Sequence, residues 1–331
     1  MTGASARPDV TAVVVSWNTR DLLADCLRSL RAHAPAGRTL EVIVVDNGSR
    51  DGTGEMVRRG WPEARLIANP ENLGYTRANN QAIRASRGRY LLLINADARL
   101  TPDCLRRLLQ RIDADPRAGA VGPRLVYGDG SWQRWTAGRA PSLRTAVNYF
   151  LFLERLLPGN PAFAGIFLGR DVRASCRVDW VSSACMLVRR SALDEVGLLD
   201  ERFFVYMDDV DLCRRLRDAG WRVWYCPEAE AIHLGGQSTL RQTGSVSPEA
   251  LRSFNRYFAL RHGARAAALL RVAEALGFAL RTLAYLVAAA VRGGEPRLRA
   301  KARAHWTYCK VSIEPRGPSD GQQAAGQALP T

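Results

Sequence analysis

The sequence predicts an α/β fold with a mostly parallel central sheet, helices on both faces and a helical C-terminal extension. Three features predict it. Short β-branched runs alternate with helical patterns, the arrangement from which parallel sheets are built. Polar clusters fall at three successive strand ends, where such sheets bind ligands. Past about Ser247 the composition changes: Arg252–Arg292 is rich in Ala, Leu and Arg, with Gly263 and Gly277 as its only strong breakers.

In chain order, residues 10–16 (VTAVVVS) form an apolar β-branched run that reads as a buried strand. Thr19 or Asp21 can cap the next helix, which carries Leu22, Leu23, Cys26, Leu27 and Leu30 at helical spacing. Residues 41–45 (EVIVV), 65–68 and 90–94 (YLLLI) read as further strands, with a helix over 75–87. Thr101-Pro102-Asp103 is expected to open a helix with Pro in its first turn. Residues 128–176 are irregular, rich in Gly, Pro and Trp, and suit an insertion over a site mouth. Residues 178–189 read as one strand of mixed exposure, 208–219 as an amphipathic helix, and 222–226 as a strand leading through Pro227 to His233.

In the extension, Arg271, Glu274, Arg281 and Arg292 fall within about an 80° arc of a helix. Leu269, Val272, Leu276, Leu280, Leu283 and Val287 lie opposite them, and a basic tail follows with Arg297, Arg299, Lys301 and Arg303. The expected organisation is a flexible N-terminus (1–9), one α/β domain (10–245), a basic helical extension (246–312) and a disordered tail (313–331).

Of the 331 residues, 47% are hydrophobic and 24% charged, an ordinary globular composition that excludes whole-chain disorder, collagen and coiled coil. Lys and Arg number 47 against 32 acids, a formal charge of +15, and only Lys301 and Lys310 are lysines. Such a field favours phosphates, anionic membrane surfaces or nucleic acids. A nucleic-acid partner is not expected, because the aromatics are not interleaved with Arg as stacking platforms. None of the seven cysteines has C-x-x-C spacing, so reduced thiols in a cytoplasmic protein are expected. The first nine residues lack the apolar core of a secretory signal, and no run of 18 uncharged apolar residues suggests a spanning helix.

The strand-end clusters are Ser16-Trp17-Asn18, Asp46-Asn47-Gly48-Ser49 and Asn95-Ala96-Asp97. One alone is a turn former; three in succession point to a ligand. Asp97, at a strand end beyond a small residue, suits a divalent metal that bridges a nucleotide's phosphates. Asp208-Asp209-Val210-Asp211 can complement a helix dipole. The apolar run Phe203-Phe204-Val205-Tyr206-Met207 just before it creates a setting that raises a carboxylate's pKa and suits general-base work. Asp211, next to Leu212, reads as structural.

Five ordered blocks carry a family resemblance: VVVSWNTRDLLADCLRSL, VVDNGSRDGT, NLGYTRANNQAI, INADARLTP and the run from Trp180 to Ser238. Over roughly residues 10–240 the chain resembles family 2 glycosyltransferases, especially the bacterial rhamnosyltransferase-like branch. The resemblance implies a GT-A-type nucleotide-sugar-binding fold and inverting transfer. It implies that Asp46 contacts the nucleoside, that Ser16 and Asn18 line its pocket, and that Asn72, Gly74, Arg77 and Asn80 flank it. Asp97 stands for the last acid of the family's D-x-D metal motif, here begun by Asn95. Asp209 stands for the catalytic base with Asp208 beside it. His233, in P-E-A-x-x-x-H-x-G-G-x-S, resembles the His that completes the metal site in some members. Ser183 replaces a common Gly near the expected acceptor side, where Trp180 also lies.

The expectation is therefore a transferase using Mg²⁺ or Mn²⁺. It moves a sugar, with rhamnose from dTDP-rhamnose as the first choice, onto a hydroxyl of a lipid-linked or cell-surface glycan. The enzyme would sit at the inner face of the cell membrane, with its C-terminal helix on the anionic surface. Alternatives are another sugar from a UDP donor, such as galactofuranose or a hexose, or a non-catalytic nucleotide-sugar binder. The C-terminal helix can instead pack on the domain or on a partner copy in an oligomer.

Overall fold

The computed structural model describes residues 7–156, 160–169, 171–235 and 248–314. The strands are β1 (Val10–Ser16), β2 (Leu40–Asn47), β3 (Arg65–Asn69), β4 (Tyr90–Asn95), β5 (Ala98–Leu100), β6 (Ala118–Val126), β7 (Ala137–Gly138), β8 (Cys176–Val178), β9 (Trp180–Val181), β10 (Cys185–Arg189) and β11 (Arg222–His233). The helices are α1 (Arg20–Ala32), α2 (Thr53–Gly60), α3 (Tyr75–Ala85), α4 (Cys104–Asp113), α5 (Leu143–Phe150), α6 (Leu153–Leu156), α7 (Arg190–Val196), α8 (Asp208–Asp218), α9 (Glu249–Val291) and α10 (Pro296–Ile313).

The main sheet runs in the order β3-β2-β1-β4-β10-β6-β11-β5, with β8 also on β11. Strands β1 to β4 are mutually parallel. β10 is antiparallel to both of its neighbours, and β6 and β11 are again parallel. Both faces of the parallel half are covered, which is why these strands read as continuous apolar runs. Val14, Leu92 and Ile94 pack toward Leu23, Leu27 and Leu105, whereas Val13, Ile43 and Leu93 pack on the other side with Ala78 and Ile83.

Several local expectations are corrected. Residues 178–189 are not one strand. Asp179 donates its N–H to Gly138 O and takes the Ala140 N–H on its carboxylate, which pulls β9 out of the main sheet onto β7. The last strand continues past Cys226 to His233, and its register with β6 shifts between Cys226 and Glu230, around Pro227, which has no N–H to give. α4 begins only at Cys104, because Asp103 takes a left-handed conformation at φ 64°, so Pro102 precedes the helix. Thr19 is the N-cap residue of α1, but its side chain makes no capping bond. Asp51 accepts the Arg20 N–H at 2.9 Å, and the Thr19 hydroxyl is bonded to Ser16 at 2.9 Å. Residues 7–9 are tied down: Asp9 accepts the Thr39 N–H and pairs with Arg38 at 3.0 Å. Residues 1–6, the 245/246 boundary and residues 315–331 lie outside the described residues.

α9 bends at Gly263, where φ is 82° and ψ 171°. By length and composition alone it is long and apolar enough to cross a membrane, although charged residues interrupt every 18-residue stretch of it. The expected basic tail is α10, antiparallel to α9: Arg271 meets Ser312, Ala275 meets Cys309, and Tyr285 stacks on His305. The helix orientation is the larger surprise. The charged arc points inward as far as Arg281, with Arg271 bonded to Ser312 O, Glu274 to Asn255 and Arg281 to Phe150 O, and only Arg292 at its end is exposed. The apolar stripe faces outward, and Leu269, Val272, Leu276, Leu280, Leu283 and Val287 are 49–66% exposed. Spacing tells which residues share a face; it does not tell which face is buried.

Glu274 is fully buried, and burial pushes its carboxyl up to about 8. Asn255 Nδ2 donates to its Oε2 at 2.8 Å, while Glu274 Oε1 and Asn255 Oδ1 find no partner among the described residues. A proton on Glu274 supplies the donor that both oxygens lack. The native chain thus holds a proton that the unfolded chain releases near 4.5, so stability falls as pH rises from there toward about 8. Glu274→Gln carries its own donor. Its melting temperature should exceed the wild type's at pH 9 and lose that advantage at pH 5, as read by calorimetry across that range.

Candidate active site

The carboxyl ends of β1, β2 and β4 gather the strand-end clusters, because the parallel register sets Ser16 beside Asp46 and Val15 beside Asn95. Asp46 is buried and accepts the Ser49 N–H at 3.1 Å. Its Oδ2 lies 2.8 Å from where a Cβ on Gly54, in the first turn of α2, would sit, so the carboxylate packs directly on that helix start. Asn18, at φ 54°, accepts the Arg50 N–H at 2.8 Å and gives its own N–H to Ser49 Oγ at 2.9 Å. These contacts lock the loops after β1 and β2 together. Asn47 then fixes the next turn: its Nδ2 donates to Asn72 Oδ1 at 2.8 Å, and its Oδ1 accepts from Leu73 N and Asn69 Nδ2. Gly74, at φ 88°, passes so close to Phe204 that a Cβ would lie 2.6 Å from the ring.

The acid pair opens α8. Two consecutive residues, Tyr206 and Met207, take left-handed conformations just before it (φ 66° and 65°), an uncommon state for non-glycine residues and one met at functional sites. Asp208 is 2% exposed and Asp209 is more open. Ser183 holds both: its N–H donates to Asp209 Oδ2 at 3.1 Å, and its hydroxyl lies 3.4 Å from Asp208 Oδ2. Burial pushes Asp208 well above the usual carboxylate range, and the charge of Asp209 adds to that. Burial also raises Asp209, against the pull of the Ser183 and Val210 N–H groups. Asp211 is structural: fully buried, it is held by Arg215 at 2.9 Å and by Arg261 Nε at 2.7 Å.

One residue beyond Ser183, Ala184 O accepts the Asn95 N–H at 3.1 Å. This joins the acid pair to the Asn95-Ala96-Asp97 turn. His233, at the end of β11, puts Nε2 3.3 Å from Asp97 Oδ1 and 3.4 Å from Asn95 Nδ2. Gln133 donates its amide to His233 O, which turns its Oε1 to accept from His233 Nδ1 at 2.9 Å. That bond leaves the Nε2 lone pair facing Asp97, the arrangement of a metal-binding histidine. Asn95 Oδ1 is buried with no partner among the described residues. Aspartate oxygen, imidazole nitrogen and an orphaned amide oxygen fit a hard divalent cation that takes its remaining ligands from phosphates and water. No group of three or more His, Cys, Asp or Glu converges among the described residues, so the protein offers a partial ligand set.

Other expected residues are placed differently. Asn80, expected to flank the nucleoside pocket, is buried and tied to Leu199 N and O and to Glu201. Trp180 is 5% exposed, its Nε1 donates to Arg139 O, and it packs edge-on against Phe167, so its ring belongs to the core. Arg77 is exposed and 3.6 Å from Glu201. Gln133 and Tyr75 were missed by the sequence reading. The Tyr75 hydroxyl donates to Ser183 O at 3.3 Å and its N–H to Phe204 O at 2.7 Å, bracing the acid pair from α3. The extension reaches the same loop, where Ser253 Oγ donates to Val205 O at 2.8 Å.

The model of the family described as Glycosyl transferase family 2 matches residues 11–197, more than half of the chain. The chain belongs to the family 2 glycosyltransferases. Within the family it is rhamnosyltransferase-like. The N-acetylglucosaminyl-diphospho-decaprenol L-rhamnosyltransferase of Mycobacterium tuberculosis H37Rv is 36% identical over 237 residues, 68% of this chain and 76% of that protein. An N-acetylglucosaminyltransferase of Mesorhizobium japonicum is 31% identical over 238 residues, 68% of this chain and 51% of that one. Among solved structures, the mannosyltransferase PcManGT of Pyrobaculum calidifontis, in complex with GDP-Man and Mn²⁺, superposes with a TM-score of 0.52 at 20% identity, over 93% of this chain and 86% of that one. The GT-A-type fold is the one expected from sequence.

Proposed function

We propose that this glycosyltransferase moves rhamnose from dTDP-rhamnose to a hydroxyl of a lipid-linked glycan at the cytoplasmic membrane face, inverting the anomeric carbon. The observation that carries the mechanism is the placement of two acidic centres side by side, Asp97 beyond the end of β4 and the Asp208–Asp209 pair at the start of α8, joined through Ala184 and Ser183. Asp46, Ser16 and Asn18 would hold the nucleoside side. Asp97 and His233, with Asn95 beside them, would hold Mg²⁺ or Mn²⁺. When bound, that cation neutralises the leaving diphosphate. Asp209, the more open member of the pair, takes the proton of the acceptor hydroxyl. Asp208, buried behind it and held by Ser183, positions the helix start. Because Asp209 works only when ionised and its pKa is raised, activity should fall as pH drops through a value above the ordinary carboxylate range.

The choice of rhamnose rests on the relative of 36% identity; the N-acetylglucosaminyltransferase relative keeps a hexose donor in the test. A thermal-shift screen of dTDP- and UDP-sugars, with and without Mn²⁺, decides it, since stabilisation follows affinity by mass action. The largest Mn²⁺-dependent shift should come from dTDP-rhamnose, and a larger one from a UDP-hexose would replace the sugar.

Membrane seating is proposed through the outward apolar stripe of α9, flanked by exposed Arg292, Arg297, Arg299, Lys301 and Arg303. Leu276→Ser combined with Leu283→Ser, both at exposed positions, should leave the fold intact and reduce sedimentation with anionic vesicles. Binding of the unaltered chain should weaken with salt. Equal sedimentation by both proteins would rule the stripe out.

A further inference from the structure

Between α9, α10 and residues 134–155 lies a cavity of about 560 Å³ whose lining includes none of the strand-end residues. Arg134, Arg155 and Arg281 line it, against one carboxylate, Glu154, which pairs with Arg134. Arg281 is fixed in place: it donates to Phe150 O at 2.8 Å and lies 3.7 Å from the centre of the Phe152 ring. His305, also in the lining, has a lowered pKa from burial, reinforced by Arg281 and Lys301, so the local field is positive. Its Nδ1 is inaccessible and has no partner among the described residues.

Two further features give the cavity a direction. Leu280 belongs both to the lining and to the exposed stripe with Leu276, Leu283 and Val287, so the charged pocket opens onto an apolar track. At the other end, Arg134 directly follows Gln133, the residue that holds His233. Consecutive Cα atoms are about 3.8 Å apart, so this wall of the pocket continues in the chain directly from the residue that orients His233. Guanidinium groups in excess of carboxylate suit a phosphate, and an adjoining apolar track suits a hydrocarbon chain.

We propose that this cavity receives the diphosphate of a lipid-linked acceptor, with its chain along the α9 stripe and its sugar directed toward Asp209. The assignment rests on the transferase reading above and names a binding site for its acceptor.

The test uses the full chain with farnesyl diphosphate, farnesol and inorganic diphosphate, by calorimetry in EDTA so that no metal contributes. Farnesyl diphosphate should bind at least about tenfold more tightly than either of the others. Arg155→Glu, at an exposed position, should weaken it by about tenfold or more, the scale of a charged hydrogen bond, and Arg155→Lys should restore part of the loss. Leu280→Ser should weaken farnesyl diphosphate and leave inorganic diphosphate unchanged. Unaltered binding in Arg155→Glu, or farnesol binding as tightly as its diphosphate, overturns the assignment. Nucleotide-sugar binding, measured on the same proteins with Mn²⁺ in place of EDTA, separates the two readings. If nucleotide sugars bind and Arg155→Glu has no effect on farnesyl diphosphate, the cavity assignment alone is wrong. If farnesyl diphosphate binds through Arg155 and no nucleotide sugar binds, the cavity stands and the transferase reading falls.

Discussion

Asp209→Asn is expected to lower turnover by about 10²–10⁴-fold, the usual worth of general-base assistance, while donor affinity stays near that of the wild type. The amide is nearly isosteric and its oxygen can still accept the Ser183 and Val210 N–H groups that now hold the carboxylate. It cannot take the acceptor's proton at neutral pH. Asp208→Asn should cost less in rate and should gain stability at neutral pH. Burial raises the Asp208 carboxyl, so the native chain takes up a proton where the unfolded chain is ionised, and that contribution to stability falls as pH rises. Turnover, donor affinity and melting temperature of both variants check this. Loss of turnover in Asp208→Asn with near-native turnover in Asp209→Asn would reverse the two roles.

The second large effect is expected at Asp97. Asp97→Ala should abolish the enhancement of donor binding by Mn²⁺ and leave the fold intact, because the side chain lies at a strand end beside His233. Gln133→Ala is the sharper companion. Gln133 is not placed to touch the metal; it fixes which imidazole nitrogen is free. Loss of such a partner costs about 10–100-fold in metal affinity. Titration of Mn²⁺ in the presence of the donor nucleotide, in all three proteins, gives the comparison. Persistent Mn²⁺ enhancement in Asp97→Ala would refute the metal assignment.

Much of this site was legible because the parallel register does the gathering. Once residues 10–16, 41–45 and 90–94 are read as neighbouring strands, Ser16, Asp46 and Asp97 must meet at one edge. Asp209 and His233 came from motif resemblance, and the structure brings them to that edge through Ser183 and β11. Gln133 was illegible, since it sits in the irregular stretch and meets His233 across 100 residues of chain. Tyr75 looked like the ordinary start of a helix; its reach to Ser183 spans 108 residues. Asn80 shows the converse, a motif residue whose amide is occupied by the backbone at Leu199. In the extension, periodicity sorted the residues of α9 into two faces correctly and left open which one turned inward. Buried carbonyls at Phe150 and Ser312, which need donors, decided that for Arg281 and Arg271.

The most direct test of the mechanism is the stereochemistry of one transfer. The full chain would be given dTDP-rhamnose, Mn²⁺ and a lipid-linked N-acetylglucosamine diphosphate acceptor, and the anomeric configuration of the product read by NMR. A single displacement, with Asp209 opposite the leaving diphosphate, predicts a configuration inverted from that of the donor. A product that retains the donor's configuration would contradict it.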